Sequence, residues 1–188
     1  MTTRNKPSVF RGIITGAAAG IAATLIMDQF QKLSTATQKA AEKRAKLAQG
    51  ESTWQIAHEQ VQKEQQAAEQ EDSTEIVARK IAEAAGTQLD KEKKKKAGQA
   101  VHYAFGTLMG VVYGVSAELV PEATTGAGTA FGTLLYLGAH EIAVPAFQLA
   151  PSPTQTPATD HLQHWAAHVV YGGSLELVRS LVKRLIQS

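Results

Sequence analysis

Long apolar segments and one long polar segment follow one another along this chain. Apolar residues dominate from Gly12 to Met27, from Val101 to Val120 and from Gly126 to Ala150. These runs carry little charge, and their lengths come close to the about 20 residues that a helix needs to cross a bilayer. The pattern therefore predicts helices that span a membrane.

A fourth apolar segment extends from His161 to about Ile186, and its centre is shorter. The stretch from Trp165 to Leu175 contains no Lys, Arg, Asp or Glu. It is too short for a span, so a crossing helix must continue past Glu176 to Arg179. The chain is accordingly predicted to be an all-α, small multi-pass membrane helical bundle with three or four transmembrane helices.

The polar segment at residues 34–96 is rich in Ala, Gln, Glu and Lys. This composition favours helix but supplies too few large apolar side chains for a core of its own. Thr53 and Ser73 can each cap a short helix with an apolar stripe. We therefore expect an N-terminal membrane helix at 1–33, a polar helical insertion at 34–96 and a three-helix membrane hairpin region at 97–188.

A run of lysines closes the insertion directly before the second apolar segment. At this position the side chains would lie at the level of the lipid headgroups, where each Lys contributes about 1 kcal/mol of attraction to anionic lipid. The residues expected to contact headgroups are Lys93, Lys94, Lys95 and Lys96. Both chain ends are basic as well, so charge alone leaves the orientation in the membrane open.

Two other interpretations fit the apolar segments. The basic start and the run from Gly12 to Met27 resemble a cleaved secretory signal, but the run passes into Asp28 and Lys32 without a small-residue cleavage site. An uncleaved first membrane helix is favoured. Helices buried in a larger soluble assembly can also be apolar all round, and this remains the alternative to a membrane location.

Glycine recurs at helical spacing in the apolar segments. Gly16 and Gly20 lie four residues apart in the first segment. The second segment repeats this spacing at Gly106, Gly110 and Gly114, and the later segments contain Gly128, Gly132, Gly172 and Gly173. Small residues on one face let membrane helices approach closely, which predicts tight contacts within the chain or between copies in a homo-oligomer.

Ionisable residues inside hydrocarbon-length segments usually mark a functional site. The candidate polar cluster comprises His102, Glu118, His140, Glu141, His168 and Glu176. Because successive crossing helices are antiparallel, we expect His102, His140 and the start of the fourth helix on the membrane side where the first helix ends. Glu118 and Glu176 are expected nearer the opposite side.

Several functions are compatible with such a cluster. The groups can pair with one another to fix helix register, or they can bind and relay protons. Alternatively a metal or haem can be bound by His102, His140, His164 and His168. A further alternative is an interaction protein that acts through the insertion. A zinc hydrolase is not favoured, since Trp165 follows His164 where a metalloprotease motif requires Glu. Whether the chain is an enzyme stays open, and a non-enzymatic protein is preferred.

Composition removes other classes of function. The chain has 188 residues and no cysteine, which excludes disulfides, thiolate nucleophiles and cysteine-based metal sites. The formal net charge of +2 is too small to indicate nucleic acid as a partner, and the basic residues are not interleaved with aromatic ones. The lipid bilayer is the expected partner.

The order of features in the last part of the chain resembles the YagU-like family of bacterial inner-membrane proteins, a family without an assigned biochemical function. The resemblance rests on five elements: His102 opening a glycine-rich span, the run from Ala117 to Pro121, His140 followed by Pro145, the run from Ala167 to Tyr171, and the run from Leu175 to Arg179. It covers about the last 90 residues and, loosely, the first helix, but not the polar segment between about Gln31 and Gln99. The resemblance implies a multi-pass protein of the bacterial envelope, located in the inner membrane, with His102, Glu118, His140, His168 and Glu176 as the positions of interest.

Overall fold

The computed structural model describes residues 7–150, 154 and 156–187. Helices and turns account for this part of the chain, which contains no strand, so the prediction of an all-α fold is confirmed. The helices are α1 (Val9–Ala48), α2 (Thr53–Glu69), α3 (Ser73–Ala84), α4 (Lys91–Leu119), α5 (Thr129–Leu135), α6 (Val144–Ala146) and α7 (Ala158–Gln187). A 3₁₀ segment (Pro121–Gly128) precedes α5, and a π-helical segment (Tyr136–Ala143) joins α5 to α6.

Helix α1 starts at a polar cap and continues well beyond its apolar part. The Ser8 side chain accepts a hydrogen bond from the Arg11 backbone N–H, which satisfies one of the free donors at the helix start. The helix passes the boundary expected at residue 33 without a break and ends at Ala48. Two helices in the described residues, α1 and α4, are long and apolar enough to cross a membrane.

The third predicted span differs from expectation, because it is not one continuous helix. Gly126 and Gly128 have left-handed backbone angles, with φ of 66° and 85°, and they separate the 3₁₀ segment from α5. The π-helical segment then interrupts the α-helical hydrogen bonds, and the helix ends at Ala146 just after Pro145. We call residues 121–146 the broken helix.

The bundle is built around α1, which packs against both α4 and α7, while α5 packs against α7. Small residues and two tyrosines dominate the centre of this bundle. The buried apolar residues that form it are Ala19, Ala23, Met27, Tyr113, Ala117, Ala167, Tyr171 and Leu175. The Tyr171 hydroxyl donates a hydrogen bond to the Gly106 carbonyl at 2.6 Å, which ties α7 to the middle of α4.

Glycines make the closest helix contacts within the chain. In the crossing of α1 and α4, Gly16 lies against the backbone of Gly110, and Gly20 lies against that of Gly106. Gly128 and Gly172 make the corresponding contact between the broken helix and α7. The glycine faces predicted from the sequence therefore face one another, and backbone contact replaces the side-chain packing of an ordinary core.

The insertion consists of the end of α1, α2 and α3. Exposed ion pairs link α1 to α2, including Lys39 Nζ to Glu64 Oε1 at 2.8 Å and Lys63 Nζ to Glu42 Oε1 at 2.9 Å. Helix α3 packs instead on the first turns of α4, where Gly98 leaves room for the backbone of Glu75. The insertion is thus helical, as expected, and α3 anchors it to α4.

Candidate functional site

The π-helical segment and the start of α7 bring together a set of ring and carboxylate side chains, which we call the histidine cluster. Its members are Tyr136, His140, Glu141, His161, His164 and His168. At its centre His140 Nε2 and His164 Nδ1 are in hydrogen-bond contact, and the two ring centroids lie 4.3 Å apart. One of these nitrogens must carry a proton and the other must accept it.

His168 lies one turn of α7 beyond this pair. Its Nδ1 is 2.8 Å from the His164 carbonyl oxygen, and because a carbonyl can only accept, Nδ1 is the protonated nitrogen. The His168 ring stacks on that of His140 with centroids 5.9 Å apart, and Tyr136 lies at 5.6 Å on another side. Three imidazoles from two helices therefore share one small volume.

Glu141 provides the carboxylate of the cluster. Its Oε1 lies 2.9 Å from His161 Nδ1, and the Tyr136 hydroxyl lies 3.1 Å from the same nitrogen. Glu141 and His161 border a small cavity of about 30 Å³, which is large enough to hold a water molecule. The residues lining this cavity include His140, Glu141, Pro145, Ala150, Thr156, His161 and His164.

The broken helix explains how two neighbouring residues join one cluster. In the π-helical turn each residue advances less around the axis than in an α-helix, so His140 and Glu141 both face the start of α7. Single π turns inside α-helices occur frequently at functional sites. The histidine cluster therefore depends on the π-helical segment.

His102 does not lie with the other three histidines that were expected to share a metal or haem site. Its Nε2 lies 3.0 Å from Asp28 Oδ1, and the neighbouring Tyr103 hydroxyl donates to Asp28 Oδ2 at 2.8 Å. These contacts join α1 to α4 where the apolar part of α1 ends. His102 is on the expected side of the bundle, but its direct partner is a carboxylate.

The residues expected to bind a metal are thus only partly brought together. His140, His164 and His168 are neighbours, whereas His102 pairs with Asp28. Within residues 7–150, 154 and 156–187 no group of three or more His, Asp or Glu side chains is arranged to hold a metal ion. The observed arrangement is one of hydrogen-bonded pairs.

The opposite end of the bundle holds what we call the carboxylate–cation cluster, made of Arg11, Glu118, Glu176, Arg179 and Lys183. Glu118 is its centre, with a side chain only 1% exposed. It receives a hydrogen bond from Arg11 Nε at 3.1 Å, and Lys183 Nζ lies 2.6 Å from its Oε1. Three helices, α1, α4 and α7, therefore meet at one carboxylate.

Glu176 forms the second half of this cluster. Arg179 donates to both of its carboxylate oxygens, from Nε at 2.7 Å and from Nη2 at 2.8 Å. The buried Tyr113 hydroxyl donates to Glu176 Oε2 at 2.8 Å. Glu118 and Glu176 thus lie away from the histidines, on the side that the antiparallel order predicts.

Sequence reasoning did not select three members of this cluster, Arg11, Arg179 and Lys183, nor the buried Tyr113. In the sequence these cations are simply basic residues near the ends of the chain. A signal was available, since Glu176 and Arg179 are spaced by three residues and therefore lie on one helix face. Arg11 stands directly before the first apolar run, where its position alone does not reveal a buried partner.

The lysine run at the start of α4 makes local ion pairs. Lys93 Nζ lies 3.1 Å from Asp90 Oδ2, and Lys96 Nζ lies 3.7 Å from Glu92 Oε1, all four side chains being well exposed. Lys94 instead contacts Glu71, next to the start of α3. Contact of these lysines with lipid headgroups stays a prediction.

The Glu71 contact gives a prediction for acid pH. Hydrogen bonds from Lys94 and then Arg79 lower the pKa of Glu71. A carboxyl group with a lowered pKa stabilises the fold above its unfolded value of about 4.3, and this contribution is lost as the pH falls through the folded value. At pH values below about 4, we expect α3 to lose hydrogen-exchange protection. The Glu71→Gln variant should show the same loss at pH 6.

The matched control is Glu69→Gln, because Glu69 is exposed two residues earlier. This variant should retain the protection of α3 at pH 6. Equal protection in the Glu71→Gln variant and the parent protein at pH 6 would show that the Glu71 contacts do not hold α3.

Comparison with known protein families identifies a family for this chain. A model of the DUF1440 family, described as a protein of unknown function, matches residues 71–177. The match begins at Glu71 and so includes the last part of the polar segment. It covers α3, α4, the broken helix and most of α7. Neither the curated proteins nor the solved structures include a match to the chain.

Proposed function

Since the chain belongs to the DUF1440 family of proteins of unknown function, we propose that it is a multi-pass membrane protein whose histidine cluster binds and releases protons. We further propose a YagU-like protein of the bacterial inner membrane, with α1, α4, the broken helix and α7 lying within the bilayer. The observation that carries the proton role is the direct contact between His140 Nε2 and His164 Nδ1.

The distribution of polarity supports the membrane location. Large apolar side chains are exposed on the outside of all four bundle elements, while Glu118 and Arg179 are buried inside. The exposed residues include Phe10, Ile21, Leu25, Phe105, Leu108, Val112, Leu134, Ile142, Leu177, Leu181 and Leu185. Contact of this apolar surface with water would cost free energy, whereas contact with lipid tails would not.

The packing of the bundle supports more than two spans. Helix α7 packs along α1, which is long and apolar enough to cross, and α5 packs in turn against α7. Their polar side chains point toward partners inside the bundle, as the Glu176 contacts with Tyr113 and Arg179 illustrate. The irregular backbone of the broken helix is then shielded by protein rather than exposed to lipid.

The proton role follows from the chemistry of paired imidazoles. A hydrogen bond between two neutral rings uses one N–H and one free nitrogen. One added proton gives a single imidazolium that can still donate to the neutral ring, whereas a second added proton charges both rings, removes the acceptor nitrogen and sets two positive charges in contact. Glu141 and His161 lie beside the pair as the nearest additional donor and acceptor groups. Protonation of the cluster is therefore coupled to the contact between the π-helical segment and α7.

The proton proposal can be tested by ¹⁵N NMR of histidine side chains in the detergent-solubilised full chain. We expect the signals of His140 and His164 to change together as the pH is lowered, because the two rings share one hydrogen bond. In His140→Gln the remaining His164 signal should titrate as a single site. In His58→Gln, which replaces an exposed histidine of α2, the pair should be unchanged.

Signals of His140 and His164 that stay constant from pH 8 to pH 4 would contradict the proton role. A large shift of both signals on addition of Zn²⁺ at neutral pH would favour the alternative of a metal site. Either result leaves the membrane location untouched, because that proposal rests on the exposed apolar surface.

A further inference from the structure

Asp28 stands at the point where α1 leaves its apolar part. The uncharged run of this helix ends at Met27, so Asp28 is the first charged residue after Arg11. In the proposed membrane protein this is the level at which α1 passes out of the hydrocarbon layer. The Asp28 side chain is 17% exposed, and water can therefore reach its carboxylate.

A shallow groove on α1 starts at this carboxylate. It has a volume of about 450 Å³, and its lining includes residues of α1 from Asp28 to Lys39, among them Lys32. At about 1.5 Å per residue, the groove follows the helix for roughly 16 Å away from the apolar part. Its volume is many times what one water molecule needs, so the groove offers water a direct approach to Asp28.

Helix α4 contacts both oxygens of Asp28. Oδ1 lies 3.0 Å from His102 Nε2, and Oδ2 accepts a hydrogen bond from the Tyr103 hydroxyl at 2.8 Å. An ionised carboxylate can only accept, so Nε2 is the protonated nitrogen of a neutral His102. The other ring nitrogen, Nδ1, is then the atom at which His102 binds an additional proton.

His168 is the member of the histidine cluster that receives this side of the bundle. The charge of the His102 ring acts on His168, and close by the Tyr171 hydroxyl ties α7 to the Gly106 carbonyl of α4. Because His168 Nδ1 donates to the His164 carbonyl, Nε2 carries the free lone pair of a neutral ring. Within the described part of the chain this Nε2 makes no hydrogen bond, so it is able to accept a proton.

Other titratable groups surround the two rings. Those beside His102 and His168 among the described residues are Asp28 and Lys32 of α1, Tyr103 of α4, His164 of α7, and Tyr136 and His140 of the π-helical segment. Asp28 is the carboxylate of this set, and it lies at the open groove.

The Glu141 and His161 pair is a second place at which the cluster approaches the surface. Its side chains are 18% and 28% exposed, but the cavity that they border measures only about 30 Å³. The groove at Asp28 is the wider approach for water. The geometry therefore favours the Asp28 side as the place where protons arrive.

We propose that Asp28 and His102 form the proton port of the histidine cluster, in which His102 takes a proton from water and passes it to His168 Nε2. In this step the N–H bond at His102 Nδ1 breaks, an N–H bond forms at His168 Nε2, and Asp28 stays ionised. Asp28 is a positioning residue, because it acts by fixing the orientation and tautomer of His102. This inference rests on the proposed proton role of the cluster.

The test measures how fast His168 Nε2 gains and loses its proton, by ¹⁵N relaxation dispersion on the detergent-solubilised full chain at mildly acidic pH. We expect Asp28→Asn to slow this exchange at least about tenfold, since a positioned proton-transfer group typically contributes a factor of about 10²–10⁴. Asp28→Glu keeps the carboxylate and should restore most of the rate. Lys32→Gln changes another residue of the same groove and should leave the rate unchanged.

His102→Gln removes the other half of the port. It should slow the exchange as much as Asp28→Asn does, and the double variant should be no slower, because both residues act on one route. The His140 and His164 signals at pH 8 show whether each variant keeps the fold of the cluster. If Asp28→Asn does not fold, His102→Gln takes its place.

An unchanged rate in both Asp28→Asn and His102→Gln would overturn the port. Slower exchange in His161→Gln alone would overturn it in favour of the Glu141 and His161 side, and a His168 Nε2 that stays unprotonated down to pH 4 would overturn it as well. Each of these results leaves the proton role standing if His140 and His164 still titrate. Constant signals of all three rings would overturn the port and the proton role together.

Discussion

Replacing Gly110 by alanine should prevent α1 and α4 from packing. A Cβ atom at this position would lie 2.6 Å from the Gly20 Cα and 2.9 Å from the Gly20 nitrogen, and it would also meet the Gly16 carbonyl oxygen. Backbone cannot move aside as a flexible side chain can, so the helices must separate. We expect a destabilisation of more than about 3 kcal/mol, at the upper end of what overpacking costs.

The expected experimental result is little folded Gly110→Ala protein after detergent extraction, measured as the monodisperse fraction on size exclusion. Gly173→Ala is the control, since a Cβ there meets only the Thr129 Cγ2 at an ordinary 3.9 Å. Gly172→Ala, one residue away, should fail like Gly110→Ala because its Cβ would press on the backbone of Gly128 and Gly132. Normal folding of Gly110→Ala would mean that the close crossing of α1 and α4 is wrong.

Glu118→Gln is the second variant with a large expected effect. The neutral amide removes the negative charge that Arg11 and Lys183 both contact inside the bundle, next to Arg179. Removal of one partner from a buried ion pair typically costs about 3–5 kcal/mol, because the remaining charge stays buried without compensation. For a chain of this size that corresponds to a fall in Tm of roughly 10 °C.

Differential scanning fluorimetry in detergent measures this change. Glu122→Gln, an exposed carboxylate directly after α4, should leave the Tm within about 2 °C of the parent. The double variant Glu118→Gln with Lys183→Gln should recover part of the loss, since it removes one of the uncompensated cations. If Glu118→Gln matched Glu122→Gln, Glu118 would not be the buried centre of the cluster.

The sequence was sufficient to place the polar residues at the correct ends of the bundle. Helix length and antiparallel order put His102 and His140 on one side and Glu118 and Glu176 on the other, and the structure confirms this division. Glycine spacing likewise indicated which helix faces approach closely. Both inferences depend on regular helix geometry, which the sequence determines well.

Other features depend on departures from regular geometry or on contacts between distant residues. The π-helical segment that turns His140 and Glu141 toward α7 has no distinctive residue pattern, so a single kinked helix was the natural expectation. The sequence also did not predict which polar side chains pair with one another. Asp28 pairs with His102 from 74 positions away along the chain, and a periodic pattern does not specify such a pair.

The contacts of Arg11 and Lys183 inside the bundle are the largest feature that the sequence does not predict. From the sequence, Arg11 and Lys183 are only basic residues at the two ends of the chain, where their charge leaves the orientation open. Their side chains instead turn inward to Glu118, which requires the three-dimensional meeting of α1, α4 and α7. The carboxylate was visible in the sequence, but its counter-ions were not.

Spin-label accessibility tests the central claim that lipid surrounds the bundle. Because the chain has no cysteine, single labels can be placed at Leu108→Cys on α4, Leu134→Cys on α5 and Leu181→Cys on α7, with Lys43→Cys in the insertion as the aqueous reference. In reconstituted bilayers we expect the three bundle labels to be more accessible to oxygen than to a water-soluble nickel complex, and the reference label to show the reverse. Preferential access of the nickel complex to all three bundle labels would contradict the membrane account.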